Sequence, residues 1–132
     1  MRVLGIDVGE KKIGLAVGDS GNGFVFARPP LLVQHWDTAW PIVERLCDHE
    51  AIDTIIVGWP LNAKGNKTTQ TDMVGQFVEH LKTITHLPVE TIDERLSTKA
   101  VLREQQGRKL ARGQEDSLAA QMLVETWLSK QS

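Results

Sequence analysis

Three acidic positions in this sequence stand where a chain could use a carboxylate for chemistry. Asp7 lies near the end of the apolar run Arg2 to Val8, where an unpaired carboxylate is costly to bury. Gly9 follows where the chain turns and a ligand could approach the backbone. A second acidic cluster, Asp93-Glu94-Arg95, ends the run Val89 to Ile92, and Asp116 heads the buried face of a helical stretch containing Ala120 and Leu123. Each has a plain structural role open to it: a turn aspartate, a solvated strand end, a complement to a helix dipole. Alternation puts Glu90 with Ile92 and Thr91 with Asp93, so it does not select the inward acid of the second cluster. Taken together, the acids can converge if the two strands are neighbours. Hard cations such as Mg2+ or Mn2+ take oxygen ligands and retain waters, so a few carboxylates suffice to hold them. Two such ions about 3.5–4 Å apart activate water and stabilise a leaving oxygen in phosphodiester cleavage.

Basic residues gather beside these acids. Arg95, Lys99, Arg103, Arg108, Lys109 and Arg112 face only Glu104 within their stretch, and the first three, four apart, form one row if the helix starts early enough to include Arg95. An ordinary solvated face has the same composition; beside a carboxylate cluster, a phosphate-backbone track is the better reading. Lys64 and Lys67, in the polar loop Asn62 to Thr71, add a mobile clamp or simply decorate an exposed loop. Trp59 stacks on a base or packs in the core. His35, His49, His80 and His86 lack the spacing of a zinc site, and Cys47 falls on an apolar helix stripe.

The elements that must position these groups follow from hydrophobic periodicity. Arg2 to Val8, Ile13 to Val17 and Gly23 to Ala27 read as three strands joined by short turns, an antiparallel meander. Trp40, Val43, Leu46 and Cys47 mark a helix with Asp37 or Thr38 at its N-cap. Thr54 to Val57 is a β-branched strand, and Met73, Phe77, Leu81 and Ile84 stripe a second helix before the strand Val89 to Ile92. Helices over Ser97 to Gln106 and about Gln114 to Ser129 complete the chain, the latter with Leu118, Met122 and Leu123 on one stripe. The order β-β-β-α-β-α-β-α-α predicts an α/β fold with a mixed five-stranded sheet flanked by helices.

The chain has 132 residues, 41% hydrophobic and 24% charged, which predicts one globular domain over residues 1–132 and excludes wholesale disorder. A formal net charge of -2 excludes a general basic coat, so any polyanion site is a local patch. A single cysteine, no apolar run near 18 residues and an acidic N-terminal stretch predict a soluble cytoplasmic protein.

Read in order, Ile6-Asp7-Val8-Gly9 with Ile13-Gly14-Leu15-Ala16-Val17, Ile56 to Asn62, Asp93-Glu94-Arg95-Leu96-Ser97-Thr98 and Asp116-Ser117-Leu118-Ala119-Ala120 resemble the blocks of the YqgF (RuvX) nuclease family. The resemblance spans nearly the whole chain, and its D-E-R-L-S-T block is the specific one. It implies a ribonuclease H-like fold and a metal-dependent nuclease, with Asp7, Glu94 and Asp116 as catalytic, metal-binding acids and Asp93 as a less favoured neighbour. It carries two activities, maturation of the 5′ end of 16S rRNA and resolution of Holliday junctions, of which RNA processing is favoured. Its partners would be an rRNA precursor, within a pre-ribosomal particle, or branched DNA. Two positions depart from the family pattern: Glu115 stands where an apolar residue is usual, and Gln114 where a basic one is.

Two rival readings remain beside the nuclease. A phosphotransferase of the sugar-kinase and actin type has a related strand–Asp-x-Gly–strand opening but needs two such domains, which 132 residues do not supply. A non-catalytic nucleic-acid-binding module gains nothing from clustered carboxylates when its ligand is a polyanion. The expected state is a monomer or weak dimer, since trimming one strand needs no two-fold partner.

Overall fold

The computed structural model describes residues 1–95 and 117–131. Strands β1 (Arg2–Val8) and β2 (Lys12–Asp19) form the first hairpin, closed by a hydrogen bond of 2.9 Å from the Gly9 N–H to the Lys12 carbonyl. A Cβ on Gly9 would lie 2.7 Å from that carbonyl, so the tight turn demands glycine. β3 (Val25–Leu32) extends the meander antiparallel to β2. It starts later and runs further than the predicted Gly23 to Ala27, passing through Pro29 and Pro30. An edge strand tolerates them, because their missing N–H groups fall where the ladder slips: Leu15 pairs with Arg28 but Ile13 with Leu31.

A 3-10 turn over Trp36–Thr38 precedes α1 (Trp40–His49), so the predicted caps Asp37 and Thr38 are displaced and Ala39 stands at the N-cap. The Thr38 hydroxyl donates to the His35 carbonyl at 2.8 Å and thereby serves the preceding turn. Pro41, with φ preset for a first helical turn, fixes where α1 begins. β4 (Thr54–Trp59) then runs parallel to β1, two residues longer than the predicted Thr54 to Val57. α2 (Thr69–Thr85) starts at a reciprocal cap between Thr68 and Thr71 and ends at His86, which is left-handed with φ 58°. β5 (Val89–Asp93) pairs parallel with β4, and α3 (Leu118–Lys130) is the last helix. The sheet order β3-β2-β1-β4-β5 makes β1 central and confirms the mixed five-stranded sheet. The predicted helix Ser97 to Gln106 lies outside the described residues.

Strand alternation divides the core between two faces. Leu4, Ile6, Val8, Ile13, Leu15, Val17, Ile55 and Val57 pack with Val43 and Cys47 of α1 and Val74, Phe77 and Leu81 of α2. Of the predicted α2 stripe, Met73 and Ile84 are only partly buried. Cys47 is a core residue, and burial, reinforced by the charges of Asp48 and Glu44, pushes its thiol up to about 11. On the opposite face, Val3, Ile56 and Ile92 meet Leu123 and Trp127 of α3, while Ala16 meets Ala120 and Val124.

α3 sits close to the sheet because that face has little side chain beneath it. A Cβ on Gly5 would lie 2.8 Å from the Ala120 carbonyl oxygen and would overlap the Val124 side chain; one on Gly18 would also strike Val124. Gly5→Ala therefore forces helix and sheet apart. The expected loss is about 1–3 kcal/mol, read as a lower urea midpoint at unchanged m-value.

Candidate metal and nucleic-acid site

Asp7 is the last residue but one of β1, half-buried, at the carboxyl end of the central strand. Leu4, Ile6 and Val8 belong to the α1/α2 face, so Asp7 alternates with them onto the α3 face, beyond Val3 and Gly5. Parallel β strands joined by helices open their loops at this end, where ligands of α/β sheets commonly bind.

The condition that the two acidic strands be neighbours is not met: β4 lies between β1 and β5. Two strand spacings, about 10 Å, separate their backbones. The acids nevertheless meet, through Glu94. Glu90 and Ile92 point to the α3 face, where the Trp127 indole donates to Glu90 at 2.8 Å and Ile92 joins Leu123. Glu94 opens a helical turn just past β5, and its half-buried carboxyl crosses over Gly58 of β4 to hydrogen-bond with Asp7. A Cβ on Gly58 would lie 2.5 Å from Glu94 Oε1 and 3.0 Å from its Cγ. Burial, then the Asp7 charge and the shared hydrogen bond, with a smaller push from Asp93, raise the Glu94 carboxyl from its ordinary 4.5 to about 7.

Asp93 is turned to other work. Its carboxylate takes Arg95 Nη2 at 2.6 Å, Arg95 Nε at 3.0 and 3.1 Å, and the Arg95 backbone N–H at 2.9 Å. That guanidinium is the main reason the Asp93 carboxyl lies below its usual range. Arg95, expected on the phosphate track, is thus held in a fork by its neighbour and lies against the 62–67 loop. A Cβ on Gly65, whose φ is +85°, would be 3.2 Å from an Arg95 terminal nitrogen. The loop carrying Lys64 and Lys67 is internally bonded: the Asn62 side chain accepts from the Lys64 and Asn66 N–H groups, and Leu61 bridges Lys67. Lys67 places its Nζ 5.8 Å from the Trp59 ring centroid. Half-buried Trp59 packs partly on the core and lines an open cleft of about 790 Å³ with Lys67, Gly75 and Gln76. Asp116, Lys99, Arg103, Arg108 and Lys109 lie outside the described residues.

Two features went unread in the sequence. Gly58 lies beneath the Glu94 carboxyl. Ser117, fully buried, donates to the Arg28 carbonyl at 2.7 Å and accepts from the Leu15 N–H at 3.2 Å. It thereby satisfies a donor of β2 beside the ladder slip and pins the start of α3 one residue from Gly14, the register partner of Asp7.

The raised Glu94 carboxyl makes stability depend on pH. Below about pH 4.5 the group is protonated folded and unfolded alike; between 4.5 and about 7 the folded chain alone keeps the proton. The metal-free protein should therefore lose stability as pH rises through that window. Asp7→Asn removes the neighbouring charge, so its gain over wild type should be small at pH 5 and larger at pH 8, measured as urea midpoints. Ser117→Ala should cost about 1–3 kcal/mol at either pH, the usual effect of leaving buried partners unsatisfied.

A family model described as RuvX, Holliday junction resolvase, matches residues 1–130. The chain is 36% identical to a protein of Pseudomonas paraeruginosa named "Putative pre-16S rRNA nuclease", over 97% of this chain and 92% of the relative. A protein of the same name from Maridesulfovibrio salexigens is 32% identical over 98% and 99% of the two chains. Among solved structures, Thermus thermophilus RuvC in complex with a Holliday junction substrate superposes with a TM-score of 0.69 at 14% identity, covering 99% of this chain and 96% of that one. The fowlpox virus Holliday junction resolvase gives 0.57 at 14% identity, over 98% and 99%. These two likenesses concern the fold, which is ribonuclease H-like. With the family model matched almost end to end and relatives aligned over nearly their full lengths, the chain belongs to the RuvX family.

Proposed function

We propose that this chain is a divalent-metal-dependent nuclease that trims the 5′ extension of a 16S rRNA precursor. The observation that carries the reading is the meeting of the Asp7 and Glu94 carboxyls over Gly58 at the carboxyl end of the sheet. Two acids pressed together and partly desolvated are unstable as a pair of free anions, and a hard cation relieves that repulsion. Their oxygens suit Mg2+ or Mn2+, with Asp116 as a further ligand. The pinning of Ser117, the next residue in the chain, beside β2 supports that assignment. A bound ion supplies charge neutralisation at the phosphate and acidifies attacking water.

The chain's own residues do the rest. Glu94 must release its proton to act as a ligand, so metal binding is coupled to deprotonation near neutrality. Asp93 holds the Arg95 guanidinium in one orientation beside the site, where it meets a phosphate flanking the scissile bond. We assign contacts to the phosphate backbone to Lys99, Arg103, Arg108 and Lys109 and to Lys64 and Lys67 of the 62–67 loop, with Trp59 offering a ring to an unpaired base. The names of the relatives favour RNA over DNA. The net charge of -2 leaves little surplus for the broad basic face that a four-way junction requires. We further take residues 1–132 as one domain, working in the cytoplasm as a monomer or weak dimer, with an assembling pre-ribosomal particle as its partner. No helix among the described residues is long and apolar enough to cross a membrane.

The test runs two substrates side by side with Mg2+ or Mn2+: a 5′-extended 16S rRNA precursor, free and in a particle, and a mobile four-way DNA junction. The wild type should trim the RNA and leave the junction largely intact, and Asp7→Asn should abolish trimming. Mn2+ should raise the melting temperature of the wild type and not of Asp7→Asn. Symmetric, Asp7-dependent nicking of the junction with the RNA untouched would assign the chain to DNA instead.

A further inference from the structure

We propose that Gly58 is a positioning residue of this site: its missing side chain is the gap in β4 through which the Glu94 carboxylate, delivered from β5, reaches Asp7. The proposal rests on the reading of Asp7 and Glu94 as metal ligands. Topology sets the problem, since β4 separates the strands bearing the two acids. Register places Gly58 at the crossing. Ile6 pairs with Val57, which sets Asp7 beside Gly58, and Gly58 pairs with Ile92, two residues before Glu94.

Backbone freedom is not what position 58 needs. Among the described glycines only Gly23 and Gly65 have positive φ. Gly58 therefore has a backbone any residue could adopt, and glycine there provides space. That space is filled by Glu94, whose Oε1 would lie 2.5 Å and Cγ 3.0 Å from an added Cβ. A methyl group and the carboxylate cannot share the place. In an aspartate the carboxylate oxygens stand about 2.4 Å from Cβ, by ordinary bond lengths and angles. The Glu94 oxygen thus occupies the shell that an aspartate at position 58 would reach. The competing account is that glycine merely accommodates Leu123, whose Cδ1 would be 3.1 Å from the same Cβ.

Four variants separate these accounts: Glu94→Ala, Gly58→Ala, the double variant Gly58→Ala with Glu94→Ala, and the double variant Gly58→Asp with Glu94→Ala. Each is measured for urea midpoint, for Mn2+ affinity by the electron paramagnetic resonance signal of free Mn2+, and for RNA trimming. Gly58→Ala should weaken Mn2+ binding by about 10–100-fold, as loss of a supporting group does. Because the atom displaced is the free end of a flexible side chain, the urea midpoint should change little, whereas the drop in Mn2+ affinity should vanish in the Glu94→Ala background, a coupling that a clash with Leu123 would not produce. Gly58→Asp with Glu94→Ala should recover both Mn2+ binding and trimming to within about tenfold of wild type. An equal drop in Mn2+ affinity in both backgrounds, wild-type Mn2+ affinity in Gly58→Ala, or no recovery by the relocated aspartate would each overturn the proposal. Should Gly58→Ala not fold, the two double variants still decide. Wild-type Mn2+ affinity in Glu94→Ala alone would instead overturn the metal-site reading, and this proposal with it, without any change at position 58.

Discussion

The face of the sheet beneath α3 is built largely from residues with little or no side chain, and much of the molecule depends on that. Gly5 and Gly18 let Ala120 and Val124 settle against the strands at distances no Cβ would permit. Close approach concentrates dispersion contacts, which are weak singly and large in sum. At the carboxyl end of the same face, Asp7 and Glu94 are half-buried. The opposite face shows the contrast. There Leu4, Ile6, Val57, Phe77 and Leu81 fill a thick apolar layer, and among the described residues no carboxylate or cationic side chain is fully buried in it.

Half-burial is what gives the acidic pair its character. In open water two carboxylates about 4 Å apart repel by about 1 kcal/mol, and partial removal from water strengthens that repulsion and adds a desolvation cost at Glu94. Glu94 therefore keeps its proton to about pH 7 and shares it with Asp7. Asp93, adjacent in sequence, shows the other outcome. Turned away and forked to Arg95, it is held ionised. One peptide bond separates a carboxyl that resists ionisation from one that favours it. The difference comes from the face each side chain joins as β5 gives way to a helical turn.

The sequence alone carried the order of the described elements. Apolar runs, turn glycines and helical stripes sufficed for the strands from β1 to β5, the meander, the parallel crossovers and α2, because local periodicity follows directly from burial on one face or both. It also marked Asp7 as unusual, since a carboxylate within an apolar strand is conspicuous in any frame. Its errors were local ones. The prolines hid the length of β3, because their tolerance depends on being at an edge and beside a ladder slip, neither of which is written locally. Thr38 resembled a cap but spends its hydroxyl on the turn before it.

How the acids meet depends on the packing of distant segments. Sequence alternation could not choose between Asp93 and Glu94, and the family resemblance named Glu94 without a physical reason. The reason lies in strand order. With β4 interposed, the acid must reach across a foreign strand, and it does so at the one place where that strand presents Gly58. Ser117 likewise looked like part of a motif and acts as a buried bond between α3 and the β2–β3 ladder. Both depend on residues far apart in the chain and adjacent only after the sheet has formed. Local physics specifies which segments become strands and helices; which side chains then share a few cubic ångströms is fixed by register and strand order, which no single segment contains.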